Sequence, residues 1–254
     1  MLLKGKVVVI TGGVTGIGRA IAVEMAAQGA KVVVNHLDSV EQAQLALELG
    51  DEIGSKDFLA VPGDISKPET SKLLISRTIE RFSEINVFVS NAGICQFADF
   101  LEMDPEIYYK TVDVNLNGSF FAIQAAARQM KVQGKGGSII AISSISALVG
   151  GSMQAHYTPT KAGIVSLIQS TACALGPYGI RCNAILPGTI QTVLNEEDLK
   201  DQDKRKYMEG RIPLGRLGVT QDIAGPAVFL ASDMSRYMNG AQLLVDGGAF
   251  VNFQ

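Results

Sequence analysis

Tyr157 and Lys161 stand four residues apart in "HYTPTKAG", with Pro159 between them. Proline suits the first turn of a helix, and the apolar positions of "KAGIVSLIQSTACALG" keep helical period, so the pair falls at i and i+4 on one face. A free phenol titrates near pH 10; taking up a proton near neutrality requires its pKa to fall by about three, or about 4 kcal/mol. One ammonium about 4 Å away in an effective dielectric of ~20 supplies energy of that order. The spacing predicts an acid/base tyrosine made acidic by a lysine, although an isolated pair is equally the edge of an amphipathic helix. It is not isolated. Ser144, thirteen residues upstream, falls at the carboxyl end of the strand-like run "SIIAIS", where its hydroxyl can hold a substrate oxygen while Tyr157 moves a proton. Ser143 and Ser146 can instead satisfy backbone groups, and Ser146 is the second candidate for substrate contact.

A second constellation lies near the start. "VVVITGGVTGIGRAIAVEMA" runs from a strand through a glycine-rich turn into a helix, with glycine at 12, 16 and 18. Glycine lets backbone N–H groups approach a pyrophosphate, and the helix beginning near Gly16 points its positive end there. Gly12, Thr15, Gly16, Ile17 and Gly18 are therefore candidate dinucleotide contacts, although a glycine-rich turn alone can be merely structural. The next strand, "VVVNHLDS", should end beside the adenosine ribose. It carries Asn35 and His36 at its end and Asp38 two residues later, with Thr15 where an Arg or Lys would help bind a 2′-phosphate. The lack of a cation favours NAD over NADP and leaves dual use open. His36 is either an adenosine contact or an exposed loop residue.

The elements that must position these groups are legible as a pattern. Short β-branched runs at 6–10, 31–35, 58–61, 86–90, 138–143, 180–186 and 241–246 alternate with helical stretches such as "TSKLLISRTIERF". Strands apolar on both faces predict a doubly wound parallel sheet of about seven strands with helices on both faces. No linker cuts the chain, so residues 1–254 read as a single domain. The segment 192–213, "TVLNEEDLKDQDKRKYMEGRIP", is dense in charge and lacks a strand; it reads as a surface insertion that can act as a lid.

Composition removes other classes. A formal charge of -3 and no long basic run argue against nucleic acid or anionic lipid as partner. Three cysteines without Cys-x-x-Cys spacing suggest neither a disulfide framework nor a zinc site, and no metal is implied; a reducing, cytoplasmic setting fits. Cys173 and Cys182 read as core. The apolar run near the start breaks at glycines after five or six residues, too short for a secretion signal, and reads as a buried strand. The uncharged stretches 136–155 and 162–180 are rich in Gly, Ser, Gln and Thr and read as core rather than membrane spans.

Taken in order, "TGGVTGIG", "GDI" at 63–65, "NAG" at 91–93, Asn115, Ser144, "YTPTK" and "PGTIQT" at 187–192 resemble the motif set of the short-chain dehydrogenases/reductases across nearly the whole chain. The resemblance implies a Rossmann-type fold and NAD or NADP as cofactor. Tyr157 is then the acid/base, Lys161 its pKa modulator and nicotinamide-ribose ligand, Ser144 the substrate-oxygen anchor, and Asn115 the holder of a proton-relay water. It further implies adenine contacts from Asp64 and Ile65, an adenosine-side contact from Asn91, and contacts to the nicotinamide amide from Ile190 and Thr192. The chain departs from the pattern at the second strand.

"SSISALVGG", "HYTPTKAG", "YGIRCNAILPGTI", "GRIPLGRLG" and the terminal "LLVDGGAFVNFQ" are similar to those members that oxidise the anomeric hydroxyl of an aldose, L-rhamnose above all, to a lactone. Gln154, Gln191, Asn195 and Ser146 can hydrogen-bond a sugar's hydroxyls or simply face water. Cys95 and Phe97 can touch the methyl of a 6-deoxy sugar or belong to a packed loop, and His156 reads as structural. By the same likeness, "FFAIQAAARQM" and the apolar back of 162–175 imply helix pairing in a homotetramer. Two alternatives stand. An NADPH-dependent carbonyl or 3-ketoacyl-type reductase keeps the same catalytic residues but calls for a long apolar channel or a basic patch, and neither is visible. A non-catalytic dinucleotide-binding regulator predicts loss of Asn115, Ser144, Tyr157 or Lys161, and all four are present.

Overall fold

The computed structural model describes residues 1–193, 195–196 and 198–252. Seven strands form one sheet in the order β3-β2-β1-β4-β5-β6-β7: β1 (Val7–Ile10), β2 (Lys31–His36), β3 (Phe58–Pro62), β4 (Val87–Ser90), β5 (Gly137–Ile142), β6 (Ile180–Pro187) and β7 (Gln242–Val245). Every pairing is parallel, with Val8 beside both Val32 and Val87. The chain winds outward from β1 to β3, then returns to lay β4 against the other side of β1. That reversal opens a crevice at the carboxyl ends of β1 and β4, where such sheets receive ligands.

Alternation along the strands builds two cores. Val7 and Val9 of β1, Phe88 of β4 and Ile139 and Ala141 of β5 enter one face. There they meet α3 (Pro68–Phe82), α5 (Gly118–Gln133) and α6 (Tyr157–Leu175). Val8, Ile10, Val87, Val89, Ile140 and Ile142 enter the other, against α1 (Gly16–Ala27), α2 (Val40–Ile53) and α8 (Gln221–Ala231). Because both faces are covered, the strands read as continuous apolar runs rather than alternating ones. Cys182 is buried as expected. Cys173 is not: it lies on the outward side of α6 and is exposed, because only every third or fourth position of that helix meets the sheet.

Helix starts follow local chemistry. The Ser39 hydroxyl accepts from Gln42 N (3.3 Å) to open α2, and the Asp104 carboxylate accepts from Glu106 N (2.9 Å) to open α4 (Pro105–Val112). The insertion forms a single turn at Asp198–Lys200 and then α7 (Gln202–Gly210), capped by Asp201. Leu199, Ile212 and Leu217 make a small core of their own beneath it. Leu194 and Glu197 of the proposed lid lie outside the described residues. Among the described residues, no helix is long and apolar enough to cross a membrane.

Candidate active site

One cleft of about 960 Å³ runs along the carboxyl edge of the sheet. Its near end is the turn after β1. Thr15 opens α1 without a side-chain cap, and Thr15, Gly16 and Ile17 line the cleft at this helix start. Gly12, at φ +61°, sits so close to the segment after β4 that a Cβ there would lie 3.0 Å from Ala92 Cα. Gly18 lies outside the cleft lining; a Cβ on it would collide with the Gly12 carbonyl oxygen, so its role is close packing of α1 beneath the turn. Asn91 fixes the turn from the opposite strand, its Nδ2 donating to Thr11 O (2.9 Å) and Gly12 O (3.0 Å). A glycine-rich turn and a helix N-terminus together fit a dinucleotide pyrophosphate.

His36 ends β2, buried, with Nδ1 2.8 Å from Leu37 O, and it lines the cleft; the exposed-loop alternative is overturned because β3 and its following turn cover it. Beside it Asn35 donates to Gly63 O (2.9 Å), tying the end of β2 to the turn that carries Asp64 and Ile65, both also in the cleft wall.

At the far end Ser144, Ser146, Gln154, Tyr157 and Lys161 share the same cavity. Tyr157 and Lys161 occupy the first and second turns of α6, with Lys161 Nζ 5.5 Å from the phenol ring centre. Lys161 is buried, and its ammonium donates to Ile142 O (3.1 Å) at the end of β5. Ser143 Oγ donates to Lys161 O (2.8 Å), locking α6 to that strand end, while Ser144 Oγ accepts from Ser146 N (3.0 Å).

The electrostatics differ from the sequence expectation. Burial pushes the Tyr157 phenol well above its ordinary value, the nearby Cys95 adds to that, and a hydrogen bond with Ser144 acts the other way. Burial also pulls Lys161 down to about 8. In the free chain, therefore, desolvation outweighs the ammonium, which is buried in the same pocket. The lysine remains mostly charged at neutrality, but by itself it does not make the phenol acidic.

Asn115 is fully buried behind the cleft rather than in its lining. A π turn, Asp113–Asn117, joins α4 to α5 and puts it there. Its Oδ1 accepts from Ile94 N (2.8 Å), and its Nδ2 donates to Ile94 O (2.9 Å) and Thr160 Oγ1 (3.3 Å). Gln191 also lies outside the lining, whereas Ile190, Thr192 and Asn195 belong to it. Asn195 spends both amide atoms on the loop, accepting from Thr192 N and donating to Ile190 O, each at 2.9 Å. Gln154 Nε2 donates to Cys95 Sγ (3.4 Å), and Cys95 and Phe97 face the cavity. Sequence reasoning missed Leu199, Lys204 and Met208, which also line the cleft; the only signal was the spacing of 204 and 208, one helical turn apart.

Comparison with known proteins agrees with this geometry. A family model described as enoyl-(acyl carrier protein) reductase matches residues 12–249. A short-chain type dehydrogenase/reductase from Mycobacterium marinum superposes with a TM-score of 0.90 at 35% identity, over 97% of this chain and 96% of that one. This chain belongs to the short-chain dehydrogenase/reductase family. Within the short-chain dehydrogenases/reductases it is 74% identical to the L-rhamnose-1-dehydrogenase of Scheffersomyces stipitis, over 100% of this chain and 99% of that protein. It is 59% identical to the L-rhamnose 1-dehydrogenase (NAD(P)(+)) of Azotobacter vinelandii, over the whole of both chains.

Proposed function

We propose that this chain oxidises the anomeric hydroxyl of an aldose, L-rhamnose, to the lactone with NAD or NADP. The observation that carries the reading is the meeting of a pyrophosphate cradle and the Ser144, Tyr157, Lys161 set in one cleft, in a chain 74% identical end to end to an L-rhamnose-1-dehydrogenase. The oxidised dinucleotide, when bound, supplies the hydride acceptor and a positive charge. Gly12, Thr15, Gly16 and Ile17 hold its phosphates, with Gly18 beneath them, and His36, Asp64, Ile65 and Asn91 line its adenosine side. Ile190, Thr192 and Lys161 complete the opposite end.

The chain's own residues then handle one proton. Ser144 holds the C1 oxygen, and Tyr157 takes the hydroxyl proton as C1 loses its hydrogen and the C1–O bond becomes a carbonyl. The pocket must discharge that proton afterwards; the family resemblance assigns a relay water to Asn115, whose amide atoms are already committed to Ile94 and Thr160. Ser146, Gln154 and the cleft-facing Cys95 and Phe97 surround the rest of the sugar, with Gln191 and Asn195 shaping the loop at its rim. Val193, Asn195, Leu199 and Met208 line the cleft, which supports a lid role for the 192–213 insertion. Lys110 and Lys161 in the cleft lining suit a dinucleotide's negative charge.

We further infer a cytoplasmic homotetramer. Free cysteines suit a reducing compartment, and exposed aromatic residues on α4 and α5, including Tyr108, Tyr109 and Phe120, suit burial by a second copy. Light scattering coupled to size exclusion tests the subunit count.

The deciding experiment is an initial-rate panel of L-rhamnose, related aldoses, simple alcohols and ketones, with NAD and NADP in parallel. Oxidation of L-rhamnose with either dinucleotide is expected. The description of the matching family model favours an acyl or carbonyl reductase as second reading; turnover of ketones alone would select it.

A further inference from the structure

The cleft wall formed by residues 187–192 has no strand neighbour of its own beyond β7, yet it must stay in place across from the glycine-rich turn. A Cβ on Gly16 would lie 3.6 Å from Thr192 Cγ2, so the two walls all but touch. From one side the wall is held by Asn195, as described. From the other it is held by a short segment at 216–219: Gly218 N donates to Thr189 O (3.0 Å) and Gln191 N to Gly218 O (2.9 Å), an isolated parallel bridge centred on Ile190. A side chain at 218 would meet Ile190 Cδ1, which would have to turn aside, so glycine suits this close approach.

That segment is in turn shaped by one ion pair. Arg216 presents both Nη atoms to Asp222 as a fork, Nη1 to Oδ2 at 2.7 Å and Nη2 to Oδ1 at 2.9 Å. Nη1 also donates to Leu217 O (3.0 Å), and Asp222 Oδ2 accepts from Val219 N (2.8 Å). Both backbone groups flanking Gly218 are thus fixed by the fork. Asp222 sits in the first turn of α8, where the helix favours a carboxylate. Behind the wall, between Ile190 and the fork, lies a cavity of about 150 Å³ bordered by Thr189, Leu214, Arg216 and Asp222. The wall has room to fall back if the fork opens.

We infer that Arg216 and Asp222 are positioning residues for the dinucleotide: neither lines the main cleft, but their fork sets residues 189–192 at the distance from Gly16 that binding requires. This rests on the dinucleotide assignment made above. Bidentate, charge-assisted geometry tied into backbone groups distinguishes this fork from ordinary surface pairs, whose effects are small.

The test compares wild type with Asp222→Ala, Asp222→Asn and Arg216→Gln, and with Arg77→Ala, which removes the remote Arg77–Glu80 pair. NAD and NADP affinities are measured by calorimetry without sugar, and hydrogen exchange is followed across 188–193. The expected result is a Kd raised about tenfold in Asp222→Ala, equivalent to about 1.4 kcal/mol. A smaller rise is expected in Asp222→Asn and Arg216→Gln, with faster exchange of 188–193 in all three and no change in Arg77→Ala. Folded fork variants with wild-type Kd would overturn the inference, as would weaker binding without faster exchange. If Asp222→Ala fails to fold, the other two carry the same test. A wild-type chain that binds neither dinucleotide would instead sink the proposed function, and this inference with it.

Discussion

Replacing Gly18 with alanine tests the phosphate cradle from beneath, through a residue outside the cleft lining. The new methyl would collide with the Gly12 carbonyl oxygen and lie 2.5 Å from Asn91 Nδ2. Both neighbours are pinned: Gly12 O accepts from Asn91, and Asn91 also donates to Thr11 O. The methyl therefore forces α1 away from the turn. Overpacking costs about 1–3 kcal/mol, and weakening Asn91's two hydrogen bonds adds about 0.5–1.5 each. A loss of about 3 kcal/mol follows, or about 6 °C in Tm at the ~2 °C per kcal/mol suited to a chain of this size. Because the displaced turn carries the N–H donors, dinucleotide affinity should fall about tenfold or more, as one charge-assisted hydrogen bond is worth about 1.5–3 kcal/mol.

Gly16→Ala is the control. Its methyl meets Thr192 Cγ2 at 3.6 Å and Cβ at 3.8 Å, ordinary contact, so the cost is that of a left-handed backbone at φ +53°, about 1–2 kcal/mol. Differential scanning fluorimetry and calorimetric titration with NAD and NADP read both quantities. If Gly18→Ala melts no lower than Gly16→Ala and binds as tightly as wild type, the close-approach reasoning is wrong.

Tyr157→Phe should abolish turnover while the dinucleotide Kd stays within about twofold, since a ring of the same shape remains; persistent turnover would remove Tyr157 as the proton acceptor. Lys161→Ala should weaken both turnover and dinucleotide affinity, and rapid-mixing kinetics with separate binding titrations distinguish the two. Aldose oxidation needs the tyrosine–lysine pair to have lost a proton. With burial pushing Tyr157 up, the phenol is still gaining its basic form above neutrality, so kcat/KM should keep rising with pH across the alkaline range until Lys161, held down to about 8, has lost its charge. A profile flat from about pH 7 to 9 would contradict that coupling. Asn115→Ala should cost about 2 kcal/mol by leaving Ile94 N and O without their partner, seen as a Tm lowered by about 4 °C; an unchanged Tm would mean the π turn holds itself.

The amino-acid order alone determined the sheet, because strands buried on both faces must be apolar throughout, and runs such as "KVVVI" and "SIIAIS" leave little choice. It also determined the Tyr157 to Lys161 placement, since helical period is a local property, and it marked Gly12, Gly16 and Gly18 because glycine is the residue a close backbone approach requires. Tertiary structure alone decided what depends on neighbours distant in sequence. Asn115 acquires its place from a π turn and from Ile94, twenty-one residues away, neither of which has a local signature. His36 is buried where the end of β2 pairs with β3 at Pro62, and Cys173 is exposed because its side of α6 turns from the sheet. The phenol's acidity shows the division most clearly. Spacing fixes which cation is near, but the dielectric around the pair is made by the whole fold, and here burial outweighs the charge.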